Sequence, residues 1–143
     1  MPYWLMKTEP EDFSYLDLER RGREPWNGVR NATALKHMRA MQPGDLFLFY
    51  HTGREKAVVG VGQVVTPPYP DPQAGDPRFA VVDVVPAYRF QTPVTLAAIK
   101  ADPAFAGWEL VRQSRLSVMP VAPELWQYLH ALGQTQAPSP GTP

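Results

Sequence analysis

The chain has 143 residues, with 14 Lys plus Arg against 14 Asp plus Glu and no Cys, which is enough for one domain with its own core. The even charge balance excludes a protein that coats nucleic acid through an overall positive charge, while leaving room for a local basic patch. Without cysteine there is no disulfide framework, thiol nucleophile or thiolate metal site, and His37, His51 and His130 stand too far apart for a ligand motif.

The opening "MPYWLMKTEPEDF" has no basic n-region followed by an apolar h-region. No apolar run approaches the roughly 18 residues that a membrane span needs. A soluble protein of the cytoplasm or nucleus is therefore expected.

In chain order, "YWLMK" (3–7) reads as a first strand and "TEPEDF" as a loop. "SYLDLERRG" reads as a short helix capped by Ser14, with Asp17 in its first turn and Gly22 at C′. "NATALKHMRAM" predicts a second helix whose apolar face holds Ala32, Leu35, Met38 and Met41. After the turn "QPGD", "LFLFYH" (46–51) and "AVVGVGQVV" (57–65) read as strands. Gly60 and Gly62 share one face of the second, which bends there or lets something approach its backbone. "TPPYPDPQAGDPR" (66–78) is a loop, and "FAVVDVVPAYRF" (79–90) the longest strand, with Ala80, Val82, Val84, Tyr88 and Phe90 on one face.

A short helix from about Thr95, a strand "LSVMPV" (116–121) and a helix "PELWQYLHAL" (123–132) follow. In that last helix Pro123 takes the first position and Leu125, Tyr128, Leu129 and Leu132 form the apolar face. The sum is an α+β domain on a small curved sheet or barrel of about five to six strands, decorated with short helices. The domain spans 1–132, and the Pro/Gly-rich residues 133–143 form a tail expected to lack structure.

Nucleophilic and phosphate-loop motifs are absent: "GVGQ" lacks the third glycine and the loop-to-helix setting. Chemistry concentrates elsewhere. "KTEP" places Lys7 and Glu9 two residues apart, on one face if the strand continues, either as a salt-bridged strand end or as a donor–acceptor pair at a pocket rim. "PWNGVRN" (25–31) sets Trp26 before the turn signal Asn27-Gly28, then Arg30 and Asn31. Trp26 alone reads as a core residue. In this company it also reads as a pocket wall: glycine admits close approach, while guanidinium and amide are groups that read a base edge. Stacking on a base is worth about 1–3 kcal/mol. His51 ends a strand, as a hydrogen-bonded structural histidine or as a base. "VRQSRLSVMP" (111–120) carries Arg112 and Arg115 toward phosphate and Gln113 or Ser114 toward a base, unless it is only a solvated strand edge.

The blocks "YWLMKTEPEDFSYLDL", "WNGVRNATALKHMRAMQPGDLFLFYH", "VVGVGQVV", "YPDP" and "LVRQSRLSVMPV", in that order, closely resemble the EVE domain, a member of the PUA-like superfamily, over residues 2–132. The resemblance implies a PUA-like curved sheet and a module that binds nucleic acid and accommodates a modified base, methylated or hydroxymethylated cytosine in DNA. It implies no catalysis, metal or cofactor. Its pocket-lining blocks fall on Lys7, Thr8 and Glu9, on Trp26, Asn27, Gly28, Val29, Arg30 and Asn31, on Tyr50 and His51, and on Arg112, Gln113, Ser114, Arg115 and Ser117. Val29 and Met119 are candidates for contact with a base methyl. One departure is Asn27, where the family commonly has Asp or Glu.

The expected partner is modified DNA, bound by a monomer and away from any membrane. Two alternatives stand beside it: a PUA-type RNA binder, and a nucleotide- or RNA-processing enzyme using Lys7, Glu9 and His51. An interaction module without a nucleic acid is a third.

Overall fold

The computed structural model describes residues 2–137. The elements run β1 (Tyr3–Thr8), α1 (Tyr15–Arg21), β2 (Glu24–Pro25), α2 (Ala32–Arg39), β3 (Leu46–His51), β4 (Ala57–Val64), β5 (Tyr69–Pro70), β6 (Ala80–Val81), β7 (Asp83–Thr95), α3 (Leu96–Ala101), a 3₁₀ turn (Pro103–Phe105), α4 (Glu109–Arg112), β8 (Val118–Val121) and α5 (Pro123–Leu132). Six strands form one sheet in the order β2-β7-β4-β3-β1-β8, and β5 pairs with β6 apart from it. β1 runs parallel to β3, with Lys7 beside Tyr50 and Thr8 beside His51. A parallel pair needs a long crossover, and α1, β2 and α2 supply it. The expected α+β fold with a curled sheet is what forms.

The curl has a local cause. The register slips between Phe49 and Tyr50 on β3, and again around Gly60 and Gly62 where β4 meets β7. Such bulges bend a strand and increase its twist. A Cβ on Gly62 would lie 2.4 Å from Cζ of Phe47, and one on Gly60 would lie 2.9 Å from the Tyr88 carbonyl oxygen. Between the two readings of these glycines, it is the protein's own rings and backbone that approach. Gly62→Ala is expected to destabilise the fold by about 2 kcal/mol through overpacking. An unchanged urea midpoint in the variant would show that Phe47 has room to move.

Local signals set the helix ends. Ser14 and Asp17 form a reciprocal capping box on α1, which closes at Gly22 with φ of 77°. α2 begins at Asn31, whose Oδ1 accepts from the Ala34 amide. Two apolar faces differ from expectation. α2 buries Ala34, Leu35 and Met38 while Ala32, in the first turn, stays exposed. α5 buries Trp126, Leu129 and His130, leaving Tyr128 and Leu132 each 37% exposed. The indole of Trp126 stacks on Tyr3 with centroids 4.1 Å apart, so the largest ring, rather than the leucine count, orients the helix.

His130 is buried under β7. Its Nδ1 donates to the Trp126 carbonyl at 2.8 Å, and its Nε2 lies 2.7 Å from the Tyr88 hydroxyl. Burial holds the imidazole below the usual histidine pKa. The unfolded chain therefore binds the proton more readily, and stability falls as the pH drops below about 6.5. Thermal unfolding from about pH 7 to 5 is expected to show this loss, and His130→Gln is expected to flatten it. The first tail residues are tied to β7, for the Gly133 carbonyl accepts from the Thr92 amide at 3.0 Å and Thr135 Oγ1 from the Gln91 amide at 2.8 Å. The remainder of the proposed tail, residues 138–143, lies outside the described residues.

Candidate functional site

The crossover from β1 to α2 opens a cavity of about 340 Å³, a size at the low end of small-ligand pockets. Lys7 and Thr8 come from β1, Phe13 and Asp12 from the loop after it, Arg21 from the end of α1, and Glu24 to Gly28 from β2 and the turn beyond. The wall is aromatic. Trp26 is 5% exposed and meets Phe13, Phe47 and Phe49 edge to face at 5.8, 5.5 and 5.3 Å. Its amide donates to the Val82 carbonyl at 2.8 Å, which holds the loop against the sheet. The indole is thus committed mostly to the core and presents only a small margin to the cavity. Gly28 has φ of 84°, a conformation that glycine adopts without cost.

Charges of both signs rim this wall. Arg21 Nη1 lies 2.7 Å from Glu24 Oε2, and its guanidinium sits 5.3 Å from the Phe13 ring centroid. Asp12 adds a second carboxylate and Asn27 an amide. Lys7 Nζ donates to the Ser114 carbonyl at 3.1 Å and lies 5.7 Å from the Tyr50 ring. Burial holds Lys7 below the usual lysine pKa, so an anion near it relieves a desolvated charge.

The other expected site residues disperse. Lys7 and Glu9 make no pair, because β1 ends at Thr8 and strand alternation ends with it; Glu9 Oε2 instead accepts from Thr52 Oγ1 at 3.2 Å. Arg30 leaves the cavity and lies 4.2 Å over the Phe79 ring. Asn31 spends its oxygen on the helix cap and lines a second depression of about 310 Å³ with Thr33 and residues 112–116, which brings Arg112, Gln113, Ser114 and Arg115 together. Val29 and Met119 are 6% and 0% exposed; both belong to the core, so neither is placed for the methyl contact expected of them. Thr8 Oγ1 donates to the Phe13 carbonyl at 3.0 Å, and the Ser117 carbonyl accepts from the Lys7 amide at 2.9 Å. Tyr50 is 3% exposed and faces a third depression.

His51 is fully engaged. Its Nε2 accepts from the Tyr15 amide at 3.1 Å and its Nδ1 donates to Glu55 Oε1 at 2.7 Å. This is the structural alternative of the two readings. Asp12, Phe13, Arg21 and Glu24 are cavity residues that sequence reasoning missed. Glu24 stands directly before "PWNG", so extending that stretch by one residue would have found it. Arg21 required knowing that α1 ends against the same loop.

Among the described residues, no group of three or more His, Asp or Glu side chains is placed to hold a metal ion, and no helix is long and apolar enough to cross a membrane.

A curled six-stranded mixed sheet carrying five short helices, with an aromatic and polar cavity beside its first strand, defines an α+β module of the PUA-like kind. The chain belongs to the EVE domain family, whose model matches residues 2–132. It is 30% identical to mouse thymocyte nuclear protein 1 over 94% of this chain and 74% of that protein. A crystal structure from Agrobacterium tumefaciens is similar at 37% identity and a TM-score of 0.93, covering 100% of this chain and 99% of that one. The human THYN1 protein, solved in complex with DNA containing 5-methylcytosine, is similar at 26% identity and a TM-score of 0.86, covering 96% of this chain and 100% of that one.

Proposed function

We propose that the chain is a non-catalytic nucleic-acid-binding module that accepts a flipped, modified cytosine of DNA in the cavity beside Trp26. The observation that carries this reading is the cavity itself: an aromatic and apolar wall of Phe13, Pro25 and Trp26 faces two carboxylates, a guanidinium and an amide. A cytosine edge offers an exocyclic amino donor, which a carboxylate accepts. Asp12 and Glu24 are suited to that contact, and they supply the acidic character that Asn27 lacks. Arg21 and Asn27 are suited to the O2 and N3 acceptors. The apolar wall meets a C5 substituent, worth about 1–3 kcal/mol for one methyl.

Flipping the base costs a few kcal/mol, and phosphate contacts offset that cost. Arg112 and Arg115 lie exposed on the second depression. The human relative's complex with methylcytosine-containing DNA supports the choice of ligand. An enzymatic reading would need His51 as a base, and both of its ring nitrogens are engaged with other groups.

The test is a titration of labelled oligonucleotides at one fixed, moderate salt concentration, with DNA carrying cytosine, methylcytosine or hydroxymethylcytosine beside matched RNA. Modified DNA is expected to bind roughly tenfold or more tightly than plain DNA, consistent with a one-methyl discrimination. Tighter binding of the RNA would replace this reading with a PUA-type RNA binder.

A further inference from the structure

A third depression, of about 280 Å³, lies beside the base cavity and shares Lys7 with it. Its rim holds Lys7, Lys56 and Lys100, all of the chain's lysines except Lys36. Solubilising lysines are spread over a surface; these converge from β1, the β3–β4 turn and α3. No carboxylate lines the depression. Glu9, which packs against Gly53, accepts from Thr52, and among the described residues none of the three ammonium groups is in an ion pair.

Tyr50 forms the inner wall. It is 3% exposed, and its hydroxyl has no hydrogen-bond partner among the described residues. No side-chain polar atom sealed from solvent lacks a partner there, so the hydroxyl keeps its access to the depression. Burial raises its pKa to about 12; it stays protonated near neutral pH and can donate. Lys56 holds φ of 47°, a left-handed conformation unusual for a residue with a side chain, pinned where its carbonyl accepts from the Leu96 amide at 2.7 Å. A glycine would fit that backbone more cheaply, yet the position carries a lysine on the same rim.

We propose that this depression is a phosphate site, in which Lys7, Lys56, Lys100 and the Tyr50 hydroxyl hold a phosphodiester oxyanion of the strand whose base enters the neighbouring cavity. The choice of a strand rests on the nucleic-acid reading above; the oxyanion chemistry does not. Three lysines lining one depression with an unpartnered hydroxyl suit a tetrahedral oxyanion with several acceptor oxygens. Lys7, at the border of both cavities, lies where base and phosphate of one nucleotide meet.

The test uses the full chain, labelled for amide NMR, titrated with inorganic phosphate and with an abasic DNA oligonucleotide, in the wild type and in Lys56→Gly/Lys100→Gln. Both probes are expected to shift the Thr52, Gly53 and Leu96 amides saturably, and the variant is expected to bind the abasic strand at least tenfold more weakly. Lys56→Gly relieves a left-handed residue, so the variant's Tm should not fall below the wild type's, which separates lost binding from lost fold. Shifts with inorganic phosphate alone would overturn the assignment to a strand. No shift at these amides with either probe would overturn the site, as would equal binding of the abasic strand by the variant, even if discrimination for methylcytosine survived. A protein that binds the abasic strand here but does not distinguish methylcytosine from cytosine keeps the phosphate site and loses the base pocket.

Discussion

Trp26→Ala is expected to destabilise the protein by about 3–5 kcal/mol, the usual cost of truncating a buried indole. The ring is 5% exposed and packs edge to face on three phenylalanines, each such pair worth about 0.5–1.5 kcal/mol beyond its buried area. Those partners sit on β3 and on the loop before α1, so the indole joins the crossover to the sheet. Equilibrium urea unfolding gives the number. A loss under about 1 kcal/mol would mean that the ring is not the core residue its contacts make it. Because the stability of a small domain is only about 5–15 kcal/mol, Trp26→Ala should also bind DNA poorly for a reason unrelated to recognition. It is therefore the wrong variant with which to test the cavity.

The Asp12→Ala/Glu24→Ala double variant is expected to lose discrimination between methylcytosine and thymine by about 10–100-fold. The two bases share the C5 methyl and differ at N3, an acceptor in one and an N–H donor in the other, and at position 4, an amino donor in one and a carbonyl acceptor in the other. At position 4 a carboxylate accepts from the amino group and repels the carbonyl, and a well-placed contact of this kind contributes about 1–3 kcal/mol. Total affinity is a poor readout here. Removing two negative charges beside Arg21 and Lys7 strengthens attraction to phosphate generally, so overall binding can rise while selectivity collapses. Competition between duplexes carrying methylcytosine or thymine at one position separates these effects. Unchanged discrimination would remove both carboxylates from the base edge. Asp12 is exposed and Glu24 half-buried, so the fold should tolerate the pair far better than it tolerates Trp26→Ala.

Much of the fold was legible because its determinants are local. Ser14 with Asp17 and Gly22 bound α1, Pro123 opens α5, and the apolar runs at 46–51 and 57–65 pair as neighbouring strands. The faces of α2 and α5 were less legible. Periodicity counts apolar residues, whereas the rotation of a helix follows what it packs against, here Tyr3 and Phe90 around Trp126 and His130.

The candidate site divided in the same way. "PWNGVRN" carries the wall and the turn, but seven consecutive residues serve four purposes. Pro25 to Gly28 line the cavity, Val29 enters the core, Arg30 stacks on Phe79, and Asn31 caps α2.

The sequence by itself determined the composition class, the strand and helix segments, the capping residues and the family's ordered blocks, because each depends on neighbours a few positions away. Only the tertiary structure decided which charges face the cavity. Arg21 and Glu24 meet Lys7 across the crossover, and Lys56 and Lys100 meet it from the other side. Those encounters depend on the parallel pairing of β1 with β3 and on the curl at the β4 bulges, long-range geometry to which no local spacing corresponds.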